Sequence, residues 1–178
     1  IDYDITDYDI DAQFFPEREW MEGRTRLKLR VKSHALGVLT LRFADTLNVS
    51  SVTSEEFGRL MFLRVRNQNA VLINLPSPVA RDFPLTLTLH YSGRLARTSI
   101  HDESVAVAGP ALPALPALQG QRSTQPEDVP FAPAEPKWLL SNRSYWYPQA
   151  QVTDFASARM RVTVPADYAV VASGILEL

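Results

Sequence analysis

A chain of 178 residues and 20.0 kDa, 46% hydrophobic and 21% charged, holds enough apolar material for one substantial core and is too short for two ordinary domains. Its formal net charge is -2, with acids and bases interspersed, so it lacks the basic stripe a nucleic-acid partner requires. Cysteine is absent, which excludes disulfides and thiolate metal sites, and no apolar run approaches the roughly 18 residues of a transmembrane helix.

The period-2 signal starts at once. Tyr8, Ile10, Ala12 and Phe14 alternate with Asp7, Asp9, Asp11 and Gln13, the pattern of a strand with one face on a core and the other in water. A turn is expected at Pro16-Glu17-Arg18-Glu19. Then Leu27, Leu29 and Val31 alternate with Arg26, Lys28, Arg30 and Lys32, giving a strand with a basic outer face. Leu39, Leu41 and Phe43 follow, then Leu47 and Val49, Leu60 and Phe62, and Val71, Ile73 and Leu75. Ser54-Glu55-Glu56-Phe57 offers one capped turn. Asn67-Gln68-Asn69 and Pro76-Ser77-Pro78 are the expected turns between later strands, and short connections favour antiparallel hairpins. Leu85, Leu87, Leu89 and Tyr91, interleaved with Thr86, Thr88 and His90, form the cleanest strand, ending at Ser92-Gly93.

Residues 101–136 break the pattern. Pro110, Pro113, Pro116, Pro126, Pro130, Pro133 and Pro136 deny donors to any sheet and kink any helix, so a long proline-rich loop or insertion is expected there. Alternation returns at Ala158, Met160, Val162 and Val164 against Arg159, Arg161 and Thr163, and Pro165 stops it. A strand is expected over Ala169 to Ala172, a turn at Ser173-Gly174, and a further strand from Ile175-Leu176. The chain opens and closes in strand pattern without an initiator methionine, which reads as a mature or excised segment of a longer polypeptide. A secreted, periplasmic or membrane-associated bacterial setting is preferred to a cytoplasmic one. Many short strands, close turns and no helical period over ten residues predict an all-β fold, an antiparallel or mixed β-sandwich forming one domain over 1–178.

No constellation for chemistry accompanies these strands. His34, His90 and His101 have no i, i+4 partner, and a Gly-x-Ser-x-Gly elbow and phosphate-cradling glycines are missing. His101-Asp102-Glu103 reads as a surface cluster. The acidic start, Asp2 to Asp11, has strand spacing and lacks the central glycine of a calcium loop. One segment stands out: Trp138-Leu139-Leu140-Ser141-Asn142-Arg143-Ser144-Tyr145-Trp146-Tyr147-Pro148-Gln149. Its rings and guanidinium either fill the open end of the sandwich or border a cleft shared with another domain.

Several stretches, in this order, carry a resemblance. They are Tyr8-Asp9-Ile10-Asp11-Ala12, Met21-Glu22-Gly23 with the strand from Thr25 to Val31, and Leu85 to Gly93 ending His90-Tyr91-Ser92-Gly93. Tyr147-Pro148, the strand from Ala158 into Val164-Pro165, and Val170-Val171-Ala172-Ser173-Gly174-Ile175-Leu176 complete the series. The chain resembles the N-terminal domain of the M1 family of zinc aminopeptidases.

That resemblance implies a saddle-like β-sandwich packed on a downstream thermolysin-like catalytic domain, which would hold the zinc and perform peptide hydrolysis. This fragment would have no catalytic residue, metal or cofactor of its own. It would shape the cleft for a peptide substrate, with Asn142, Arg143, Tyr145, Trp146 and Tyr147 on the substrate side. Asn142 would stand where the family has a glutamine that holds the substrate amino terminus. The chain departs from the family pattern in having no cysteine and no acidic pair after Pro148, and Arg143 is off the family's usual offset. Two other readings compete: an exposed aromatic platform for carbohydrate or protein, and a purely structural assembly domain.

Overall fold

The alternation at the start of the chain becomes a long hairpin. Strand β1 (Tyr3–Phe15) turns through a 3-10 turn at Pro16–Arg18 into β2 (Trp20–Val31). Pro16 is suited to the first position because its missing N–H would be unpaired there anyway, and Glu19 closes the turn in the left-handed region at φ 50°. The computed structural model describes residues 2–95, 138, 140–151 and 155–177. The chain separates into a unit of Ile1–Ala96 with Leu140–Leu178 and another of Arg97–Leu139. The fold below belongs to the first. The expected proline-rich loop at 101–136 lies outside the described residues.

After β2 come β3 (Ala35–Arg42), β4 (Leu47–Ser54), the short β5 (Gly58–Arg59), β6 (Met61–Val65), β7 (Ala70–Ala80), β8 (Pro84–Arg94) and β9 (Ser157–Thr163). They build two sheets: six strands in the order β5-β4-β8-β2-β1-β9, and three in the order β3-β7-β6. All pairs are antiparallel except β1 with β9, which is parallel. The fold is therefore an all-β sandwich with one mixed sheet. Leu27, Leu29, Leu85, Leu87 and Leu89 from the large sheet face Leu39, Leu41, Val71 and Ile73 from the small one, all buried. Each such side chain contributes roughly 1.5–3 kcal/mol when fully removed from water.

Two glycines explain motifs visible in the sequence. A Cβ on Gly23 would lie 2.4 Å from the Tyr91 ring, so Gly23 is the space that ring occupies. Tyr91 then reaches Thr25, Oη to Oγ1 at 3.0 Å, and meets Phe43 edge-on at 4.9 Å. At Gly93 a Cβ would lie 2.3 Å from the Thr46 carbonyl oxygen, because the backbone entering β4 passes directly over it.

Three local expectations are corrected. Pro76-Ser77-Pro78 is not a turn but an outward bulge within β7: Leu36 pairs with Val79 and Val38 with Asn74, leaving the residues between unpaired. Strand β6 stops opposite Asn74, so neither proline denies a donor to a neighbour. The strands expected at 169–172 and from 175 do not form over the described residues, among which no neighbouring strand supplies their hydrogen bonds. Hairpins account for β1–β2, β4–β5 and β6–β7, whereas β2–β8, β4–β8 and β3–β7 join distant segments.

Candidate functional site

The aromatic segment lies along the free edge of β3. Ser141 caps a 3-10 turn at Asn142–Ser144: its Oγ accepts from the Arg143 N–H at 3.1 Å, and its own N–H donates to Ser144 Oγ at 3.2 Å. Asn142 and Arg143 consequently stand exposed. Tyr145 follows in the left-handed region at φ 47°, a conformation uncommon for a bulky residue. Its carbonyl accepts from Ala44 N–H at 2.9 Å, and Gln149 exchanges backbone hydrogen bonds with Arg42 at 2.8 and 2.9 Å. Those bonds anchor residues 145–149 along the small sheet at two points.

The anchored side chains differ in burial. Trp146 and Pro148 are buried, and Trp146 is 5% exposed. The Trp146 ring packs 5.9 Å from Phe14 and 5.0 Å from Tyr147, and Tyr147 meets Tyr8 edge-on at 5.6 Å. Phe14 and Tyr8 belong to β1, so these rings close the seam between the two sheets. Tyr3 helps by donating its hydroxyl to the Thr40 carbonyl of β3. Burial raises the Tyr3 phenol to about 12, with the Gln151 backbone opposing. It also raises Tyr8, Tyr91 and Tyr147, so these phenols are neutral packing groups rather than bases.

Tyr145 has a different setting. Arg42 donates from Nη1 to its hydroxyl at 2.7 Å, and the guanidinium carbon lies 5.6 Å from its ring centre. Behind it, Arg64 donates to the carbonyls of Phe43, Ala44, Leu47 and Ala70 and lies 5.0 Å from the Phe43 ring centre. Its side chain is only 12% exposed. Burial lowers the Arg64 pKa, with Asp45 at 4.0 Å opposing the shift. Arg64 therefore fixes the 43–45 turn whose Ala44 N–H holds Tyr145.

Of the residues singled out in the sequence, Asn142 and Arg143 reach solvent, Tyr145 and Tyr147 are half-buried, and Trp146 is enclosed; Trp138 is half-buried. The enclosed Trp146 offers no ring face to a ligand. Sequence reasoning missed Arg42 and Arg64, and it missed a patch on the outward face of the small sheet. Val38, Met61 and Leu63 are exposed there, at 47%, 79% and 60%, around the half-buried Leu72. The signal was present: Leu60-Met61-Phe62-Leu63 is apolar at both parities, as in a strand covered on both faces. Arg42 stands on that same outward face, joining the patch to Tyr145.

The opposite exterior is polar. Across the large sheet run Arg159 and Arg161, then Asp7, Asp9 and Asp11, then Arg24, Arg26 and Lys28, then Thr86, Thr88 and His90. Among the described residues no three His, Cys, Asp or Glu side chains stand close enough to hold a metal ion. His101-Asp102-Glu103 lies outside them. No helix among them is long and apolar enough to cross a membrane.

No family model and no curated protein matches the sequence. Solved structures do match. The M1 zinc metallopeptidase of Deinococcus radiodurans, in a mutant form bound to a Tyr-Ser-Ala substrate, superposes with a TM-score of 0.63 at 20% identity. Two-domain M1 zinc metallopeptidase mutants bound to L-tryptophan and to L-arginine superpose at 0.64 and 0.65, with 21% and 22% identity. Each match covers 99% of this chain and 36% of the other, so the chain spans about a third of those proteins. At such identities the likeness is one of fold.

Proposed function

We propose that this chain is the N-terminal β-sandwich of a zinc peptidase of the M1 kind, resting on a zinc-bearing catalytic domain and walling its substrate cleft. The observation that carries this reading is the contrast between the two exteriors. The small sheet presents Val38, Met61 and Leu63 outward beside Arg42 and Tyr145, whereas the large sheet presents charge and hydroxyls. Exposed apolar side chains gathered on one sheet face, here Met61 and Leu63 side by side and Val38 across Asn74 from Met61, mark a surface suited to cover. The proposed occupant is the catalytic domain, which the sharing of only 36% of the two-domain peptidases supports.

On this reading the exposed Asn142 and Arg143 face the cleft. The Asn142 carboxamide oxygen can accept a hydrogen bond from a peptide ammonium group, and Tyr145 borders the same opening. Trp146 and Tyr147 act beneath them as the wedge that fixes the turn. A wall at fixed distance from the metal-activated water selects the chain end, because only a substrate whose amine meets the wall places its first peptide bond in reach.

The test is made on the whole polypeptide that contains this chain. Zinc-dependent release of amino-terminal residues from short peptides is expected, and Asn142→Ala should raise KM roughly tenfold, the worth of one hydrogen bond of about 1.4 kcal/mol, at unchanged zinc content. A polypeptide that binds no zinc, or an Asn142→Ala enzyme with unaltered kinetics, would count against the assignment.

A further inference from the structure

On the outward face of the small sheet, residues line up in rows across β3, β7 and β6: Val38 with Asn74 and Met61, Thr40 with Leu72 and Leu63, Arg42 with Ala70 and Val65. Arg42 carries the only charge in those rows. Its Nη1 donates to the Tyr145 hydroxyl at 2.7 Å and its guanidinium carbon stands 5.6 Å from that ring centre, yet no carboxylate among the described residues meets it. Arg64, on the inward side of β6, shows how this fold treats a guanidinium that it encloses. The carbonyls of Phe43, Ala44, Leu47 and Ala70 take its N–H groups, and Asp45 lies at 4.0 Å.

We infer that the catalytic domain proposed to cover this sheet sets a carboxylate against Arg42, so that the interface is an apolar patch closed at one corner by an ion pair. The inference rests on the docking proposed above. Successive outward rows are about 7 Å apart and neighbouring strands about 4.8 Å, so the three rows span roughly 10 by 14 Å. Each partner of a stable interface gives up about 800 Å², and cover over Met61 and Leu63 therefore extends over Arg42. A guanidinium taken out of water is costly unless an opposite charge meets it. The Tyr145 hydroxyl takes one N–H and leaves that charge uncancelled. A carboxylate matches the remaining donors of the planar fork and supplies the missing charge together.

A second copy of the chain, meeting this one face to face, is the wrong occupant. Its three rows bring no acidic side chain, so both copies of Arg42 would be covered without a counter-charge.

The test uses the proposed polypeptide that joins this chain to a catalytic domain. In Arg42→Lys, a water-soluble carbodiimide should link the new amine to an aspartate or glutamate of the catalytic domain, read by peptide mass mapping. In Arg42→Glu, oxidation of Met61 by hydroxyl radicals should rise roughly tenfold or more, towards that of the chain alone, and by less in Arg42→Gln. In the chain alone, Arg42→Glu and Arg42→Gln should share one urea midpoint, because the charge partner lies elsewhere. No link from position 42 to a residue outside this chain, Met61 as protected in Arg42→Glu as in the parent, or a gap between the two midpoints would each overturn the inference and leave the docking standing. Met61 oxidised as fast in the parent polypeptide as in the chain alone would overturn the docking and the inference together.

Discussion

The two sheets share one core and differ on the outside. The large sheet ends in rows of arginine, aspartate, lysine and threonine that water satisfies, with exposed ion pairs such as Arg26 with Glu55. The small sheet ends in Val38, Met61 and Leu63, which water does not satisfy. The two faces of one sandwich thus differ in chemistry, and the seam at Tyr145–Gln149 joins the apolar face to the exposed Asn142 and Arg143.

The comparison breaks most severely where both sheets depend on the seam. Trp146→Ala empties an enclosed site between β1 and β3 and should cost about 3–5 kcal/mol in urea unfolding. A loss below about 1 kcal/mol, within the scatter of surface substitutions, would mean that the ring does not hold the sheets together. Arg64→Met leaves the carbonyls of Phe43, Ala44, Leu47 and Ala70 without their charged donor and should cost roughly 1.5–3 kcal/mol. Tyr145 should loosen with it, read as faster amide exchange at Ala44.

Alkaline pH probes the same seam. The folded state holds Tyr3 protonated up to about 12, against an ordinary value of 10.0, and Tyr8, Tyr91 and Tyr147 are shifted in the same direction. The folded chain therefore binds more protons than the unfolded one above pH 10. Stability is fully present below that value and should fall as pH rises through 10 towards 12. Tyr8→Phe should flatten the fall, and a midpoint for urea unfolding that is constant over this range would contradict the burial of these phenols. The smallest effect belongs to the solvated face. Arg26→Gln removes an exposed pair and should cost about 0.2–1 kcal/mol, vanishing in high salt.

Much of this was readable from residues alone. Alternation located β1, β2 and β8 because each buries one parity and wets the other, and it placed His90 and the aspartates outside. Pairing was less legible, since β9 joins β1 across more than a hundred residues and in parallel, which no local pattern encodes. Pro76 and Pro78 mimicked a turn because a bulge demands the same freedom from hydrogen bonding. At the site, the cluster of rings was visible but not which ring is enclosed, since that depends on the left-handed Tyr145 and the Arg42–Gln149 bridge. Arg64 shares parity with the buried Leu60 and the half-buried Phe62, and an inward guanidinium in an apolar strand is a signal of a structural clamp.

The contrast between the two exteriors is tested most directly by hydroxyl-radical footprinting of the three methionines, in this chain alone and in the proposed polypeptide that joins it to a catalytic domain. Met61 is 79% exposed in the chain and Met21 is fully buried, which makes Met21 the internal control. Oxidation of Met61 is expected to be fast in the chain alone and at least tenfold slower in the whole polypeptide, with Met21 protected in both. Equal oxidation of Met61 in the two would show that the small sheet faces water, and the proposed docking of the catalytic domain on it would fail.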